Sequence, residues 1–148
     1  MFASVTRLRV RSLIYLPSFL LQTRQSQAQV EKAPGFLGGR LLVDKRWTFW
    51  TLTVWETEKA MKAFRGSGAH AKVMPRLANW CDEAAYAHWE SNTEAVPTWP
   101  EAYQHLLTAG KLSRVDHPSP AHEAKLFIQP RLQPLVGGDL KPKNSAAS

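Results

Sequence analysis

Histidines, arginines and tryptophans are the residues of this sequence whose types could carry chemistry. The five histidines, His70, His88, His105, His117 and His122, could each ligate a metal, relay a proton or hold a ligand oxygen. None forms a helical His-x-x-x-His pair or stands beside a cysteine at ligand spacing, which argues against a conventional zinc site. The lone cysteine, Cys81, excludes an intrachain disulfide and any multi-cysteine cluster. No Gly-x-Ser-x-Gly elbow, phosphate loop or dinucleotide fingerprint is present: Gly35, Gly38 and Gly39 stand too close together and follow a helical pattern. Arg7 and Arg9 alternate along one face of an extended run. Guanidinium groups there need carboxylate partners, such as Glu56, Asp82 or Glu83, or a ligand's anionic group. Trp50 and Trp55 offer flat surfaces for packing or for a planar ligand.

These residues are placed by a short series of elements. Phe2 to Val10 alternates, with Phe2, Ser4, Thr6, Leu8 and Val10 opposite Ala3, Val5, Arg7 and Arg9, and this predicts a first strand. Leu13, Leu16, Phe19, Leu20, Gln27 and Val30 recur at helical spacing until Pro34-Gly35 stops the pattern. Phe36 to Asp44 and Trp47 to Trp55 read as a hairpin joined by Lys45-Arg46, with Gly38-Gly39 marking a bulge or a close backbone approach. Thr57 starts a short helix carrying Ala60, Met61 and Phe64. After Gly66-Ser67-Gly68, Ser67 can cap a second segment with Ala69, Val73, Leu77 and Trp80 at helical spacing, kinked at Pro75. His70 borders the stripe of Val73, Met74 and Leu77, where it is either a cleft-facing functional group or a capping or core histidine. Asp82 to Glu90 alternates again, with Tyr86 and His88 opposite Ala85, Ala87 and Trp89.

The order β-α-β-β-α-β predicts an α+β fold of ferredoxin-like type with an antiparallel sheet over residues 1–90. Trp50, Leu52 and Val54 on one face of a strand and Trp47, Phe49 and Trp55 on the other mean that both faces of the sheet need cover. A second copy of the chain is the economical source, giving a homodimer. Residues 91–148 read as a C-terminal helix from Pro100 to Ala109, with Tyr103, Leu106 and Leu107 on one face. A Pro-rich arm carrying Phe127, Ile128 and Leu135 follows, and then a disordered end from Asn144 to Ser148.

Composition bounds the function. At 148 residues and 44% apolar content the chain can bury one core. The net charge of +7 sits at the two ends, with eight basic and three acidic residues to Glu56 and six and three after Gly110, but no nucleic-acid motif accompanies it. Arg7, Arg9 and Arg11 before Leu13 to Leu21 imitate a leader. Pro17 and the flanking serines interrupt it, so the stretch is read as part of the fold. No run reaches the roughly 20 apolar residues of a membrane-spanning helix. A cytoplasmic location is expected.

The segments Arg7-Leu-Arg9, Ala33-Pro-Gly-Phe-Leu-Gly38, Phe49-Trp-Thr51, Thr51-Leu-Thr-Val-Trp-Glu56 and Ser67-Gly-Ala-His70 resemble the antibiotic-biosynthesis-monooxygenase-like superfamily of dimeric α+β barrels. Within it they look closest to spheroidene monooxygenase and its uncharacterised relatives. The resemblance covers roughly residues 2–90 and implies an oxygenase-like protein, with haem or with no cofactor, acting on a hydrophobic, conjugated or aromatic small molecule. It further implies that His70 is the catalytic residue or haem-iron ligand and that Arg7 and Arg9 anchor the cofactor. Trp50, Trp55, Phe64, Met74, Tyr86 and His88 are then the substrate contacts. The alternative is a non-catalytic dimeric binding or structural protein of the same fold.

Overall fold

The alternating run at the start of the chain becomes strand β1 (Phe2–Val10) in the computed structural model, which describes residues 1–127, 130 and 136–143. A short 3-10 turn leads into α1 (Leu16–Glu31), where Pro17 occupies the first turn, a position that needs no backbone donor. β2 (Phe36–Asp44), β3 (Thr48–Trp55), α2 (Glu58–Arg65), α3 (Gly68–Trp80) and β4 (Cys81–Glu90) complete the expected ferredoxin-like order. β1 is central, paired antiparallel with β3 (Ser4 opposite Thr53, Thr6 opposite Thr51) and with β4 (Ser4 opposite His88, Thr6 opposite Tyr86).

Beyond residue 90 the chain builds onto the same sheet. α4 (Trp99–Ala109) is started by a capping box between Thr98 and Glu101, and the chain continues through β5 (Lys111–Leu112), α5 (Pro120–Glu123) and β6 (Val136–Leu140). β5 pairs with β4 and β6 with β2, so the antiparallel sheet has six strands in the order β5-β4-β1-β3-β2-β6. The arm therefore closes both edges rather than only lying on the domain. Lys143 ties its far end to α1 through Glu31, Nζ to Oε2 2.7 Å, and this lysine is what holds the Glu31 carboxyl below its usual range. Ile128, Leu135 and the expected disorder from Asn144 to Ser148 lie outside the described residues.

The two faces of the sheet are covered by different parts of one chain. α1, α2 and α3 lie over the face that carries Ser4, Thr6, Phe49, Thr51, Thr53 and Trp55. The other face packs Val5, Leu42, Trp50, Leu52, Ala85 and Ala87 against Ala102 and Leu106 of α4, with Trp99, Tyr103 and Phe127 at the margin. The cover that the sequence reading assigned to a second copy is thus supplied from within, because α4 turns its Trp99, Ala102, Tyr103 and Leu106 stripe onto the sheet. Leu107, expected on that stripe, is 46% exposed.

Three local expectations are refined. Trp47 leaves β3: it sits with Arg46 in the hairpin turn, both at positive φ, and its indole is largely solvent-facing. Gly39 does mark a close approach, since a Cβ there would lie 2.3 Å from the Leu52 carbonyl oxygen. Ser67 makes no side-chain bond to the helix it precedes. Gln29 of α1 performs the capping, donating to the Ser67 carbonyl at 2.7 Å and accepting from the His70 backbone N–H at 2.9 Å. One α1 amide thereby fixes the start of α3, the helix that carries His70.

Candidate functional site

Between α1–α3 and the sheet lies a cavity of about 500 Å³. Its floor is made by alternate residues of β1 and β3, where Ser4 and Thr6 stand opposite Thr53 and Thr51. Period-two alternation requires these four hydroxyls to share one face once Phe2 and Trp55 do. Among the described residues none of the four has a protein hydrogen-bond partner, so each is free to meet a ligand. Phe19, Val30, Met61, Val73 and Leu77 make the helical walls apolar.

His70, Phe64 and Trp55 form one aromatic series at this cavity. The His70 and Phe64 ring centroids are 4.8 Å apart, and those of Phe64 and Trp55 are 5.3 Å apart. Trp55 is fully buried, and neither its indole N–H nor the Ser26 hydroxyl has a partner. A buried donor of this kind is costly unless something occupies the space beside it. His70 Nδ1 lies 3.2 Å from the Arg65 carbonyl oxygen, which makes Nδ1 the protonated nitrogen and leaves Nε2 with its lone pair. His88 enters from β4, its ring against Phe2 and Tyr86.

The sequence-predicted contacts separate cleanly. Trp55, Phe64, His70 and His88 line the cavity, and Met74, 43% exposed, forms its rim; Tyr86 touches it only through His88. Trp50 turns its indole to the opposite face, edge-on to Trp99 and Tyr103. Arg7 and Arg9 are on that opposite face too, with Arg7 Nη1 2.6 Å from Glu83 Oε2 and Arg9 bidentate on Asp82. Strand alternation carries both away from the cavity and into pairs with these carboxylates. Of the other histidines, His105 stacks on Trp89, His122 accepts from the Ala84 backbone N–H, and His117 is exposed. Cys81 is buried and its thiol is pushed up to about 12 by desolvation, which keeps it protonated and inert.

Burial holds His70 below its ordinary value of 6.5, against the bond from Arg65 and with the help of the Arg65 charge. His88 is lowered by burial first and then by Arg65. Both rings are therefore neutral in the fold at a pH where the unfolded chain already protonates them. The unfolded state binds more protons there, so stability present above the ordinary value is lost as pH falls through the folded-state values. Equilibrium unfolding measured between about pH 7.5 and pH 5 should show this decline, and His70→Gln should flatten part of it. An unchanged slope would mean that His70 is solvated.

Among the described residues no helix is long and apolar enough to cross a membrane, and no group of three metal-ligating side chains is assembled. A family model described as a domain of unknown function (DUF3291) matches residues 16–114. No curated protein matches the chain. Several solved structures share the fold. A Nitrosomonas europaea protein assigned to the antibiotic biosynthesis monooxygenases is 17% identical, with 63% of this chain and 100% of that one covered at a TM-score of 0.54. Rv0793 of Mycobacterium tuberculosis is 12% identical, with 64% and 97% covered at 0.57. A mutant of SnoaB, a cofactor-independent oxygenase from Streptomyces nogalater, is 15% identical, with 62% and 93% covered at 0.51. These likenesses establish the α+β fold of the antibiotic-biosynthesis-monooxygenase type.

Proposed function

The chain belongs to the DUF3291 family, and we propose that it binds a planar, largely apolar small molecule between its sheet and α1–α3 and acts on it as a monooxygenase-like protein. The observation that carries this reading is the cavity itself: an apolar space of about 500 Å³ whose floor hydroxyls, Trp55 N–H and Ser26 hydroxyl have no partner among the described residues. A packed core leaves few voids of that size and few buried donors unpaired, so the arrangement suits a ligand that supplies both the missing contacts and the missing acceptors.

The side chains have separable roles. Trp55 and Phe64 offer faces to a flat ring system, α1 and α3 exclude water, and the floor hydroxyls orient oxygen substituents. His70, neutral and with Nε2 free, can accept a proton from a bound phenol or hold a ligand atom at that nitrogen. The same donor chemistry fits haem, which His70 would hold through Nε2, with the bond from Nδ1 to the Arg65 carbonyl orienting the ring. When bound, haem would supply iron-centred activation of oxygen. The alternative, ligand binding without catalysis, is favoured by the way His70 is tied to the α2 terminus, since that bond also serves simply to join α2 to α3.

Two titrations test the reading. The fluorescence of neutral 2-naphthamide should saturate with the wild type and fail to do so with Met74→Trp, which fills the rim of the cavity without entering the core. Haem should give a saturable visible spectrum that His70→Ala loses. Haem bound unchanged by His70→Ala would remove the ligand role, and naphthamide binding indifferent to Met74→Trp would remove the cavity.

A further inference from the structure

The cavity contains one half-buried cation that no carboxylate answers. Arg65 ends α2 and lines the cavity, and among the described residues it has no ion pair or side-chain hydrogen bond. Four other cations of the sheet and α2 are answered: Arg7 by Glu83, Arg9 by Asp82, Arg40 by Asp139 and Lys62 by Glu58. Long charged side chains seldom remain half-buried and unpaired, because desolvation is then uncompensated.

The surroundings of Arg65 point the same way. His70 comes to it from α3, through the bond between the imidazole and the Arg65 carbonyl, and His88 from the sheet; the Arg65 charge acts on both rings and disfavours their protonation. The further charges that His88 feels are Lys62 and Lys111, with Glu58 alone of opposite sign and already bonded to Lys62 at 2.9 Å. Arg65, His70 and His88 thus line one cavity from α2, α3 and β4, with Arg65 supplying the charge and no carboxylate among the described lining residues. An ensemble of this kind is complementary to an anion, and the guanidinium fork matches the two oxygens of a carboxylate.

We propose that Arg65 is the specificity-determining anchor for a carboxylate on the cavity's ligand, held where His70 and His88 converge, with the ligand's apolar body lying against Phe64 and Trp55. The proposal rests on the cavity reading above and names its ligand class, an apolar or aromatic acid. Arg65 is a binding residue here; no bond is made or broken at it.

The experiment compares 2-naphthoate with its uncharged isostere 2-naphthamide, by fluorescence titration, in the wild type, Arg65→Gln, Arg65→Lys and Arg24→Gln. Arg24 also lines the cavity but is exposed, so its substitution controls for loss of charge alone. The wild type should prefer the acid by on the order of tenfold or more. Arg65→Gln should abolish that preference by weakening the acid far more than the amide, Arg65→Lys should keep part of it, and Arg24→Gln should keep most of it. Equal binding of acid and amide by the wild type, or a preference that survives Arg65→Gln, overturns the anchor and leaves the cavity reading intact. Failure of the wild type to bind either compound overturns both. Should Arg65→Gln not fold, Arg65→Lys and the wild-type ratio measured at rising salt decide, because a charge-based preference must shrink as salt screens it.

Discussion

Replacing Glu83 with alanine is expected to lower the unfolding free energy by about 3–5 kcal/mol, because it leaves a buried guanidinium without its counter-ion. Arg7 and Glu83 are each 4% exposed at the side chain and 2.6 Å apart. The second carboxylate oxygen accepts from Ser119 Oγ at 2.8 Å and lies 3.5 Å from Arg9 Nη1. Among the described residues Arg7 has no other acceptor and its buried Nε is unpaired, and its guanidinium lies over the face of Trp50 at 5.6 Å. Denaturant midpoints for Glu83→Ala and for Asp139→Ala make the comparison, since the exposed Arg40–Asp139 pair at 3.8 Å should cost no more than about 0.5 kcal/mol. A loss below about 1 kcal/mol at Glu83 would show that water reaches Arg7. The pair is better understood as a device for position than as a source of net stability. Through Ser119, and through the neighbouring Ser119 N–H to Asp82 carbonyl bond of 3.0 Å, it fixes where residues 115–124 dock on the sheet.

Why some of this was legible in the sequence and some was not follows from the range of the interactions involved. β1 and β4 could be read because alternation is a local property, and the same pattern, extended to Ser4, Thr6, Thr51 and Thr53, contained the hydroxyl floor. Serine and threonine on a strand face are common wherever that face meets water, so the four carry no mark of a cavity on their own. The likeness to oxygenase folds rested on short segments and predicted the α+β architecture correctly. Partner choice was another matter: Glu56, Asp82 and Glu83 were all open to Arg7 and Arg9, the β1–β4 register brings Asp82 and Glu83 beside them, and side-chain geometry then sends Arg7 to Glu83 and Arg9 to Asp82. Arg65 carried no sequence signal at all. A helix-terminal arginine is ordinary, and its lack of a partner is a fact about which carboxylates fold near it. Trp47 was misassigned because a β-prone aromatic continued the alternation into what became a turn.

The second face of the sheet yields the other large expected effect. The deduction that both faces of β3 need cover was sound: Trp50, Leu52, Val54 and Trp55 are all at most 1% exposed. The sequence places Tyr103, Leu106 and Leu107 on one face of α4; in the fold Trp99 and Ala102 join that stripe and Leu107 leaves it. Leu106 is fully buried against the cluster of Trp50, Leu52 and Ala87, and the Tyr103 hydroxyl donates to the Phe127 carbonyl at 3.0 Å, so helix and following segment close over the face together. Leu106→Ala should therefore cost about 2–5 kcal/mol, with the spread set by how far α4 can settle into the space left. Because the partners of Leu106 belong to its own chain, the cost and the wild-type midpoint should be independent of protein concentration. Unfolding curves at two concentrations a hundredfold apart check this. A midpoint that rises with concentration, with Leu106→Ala nearly silent, would mean that a second copy displaces α4 and takes over the face.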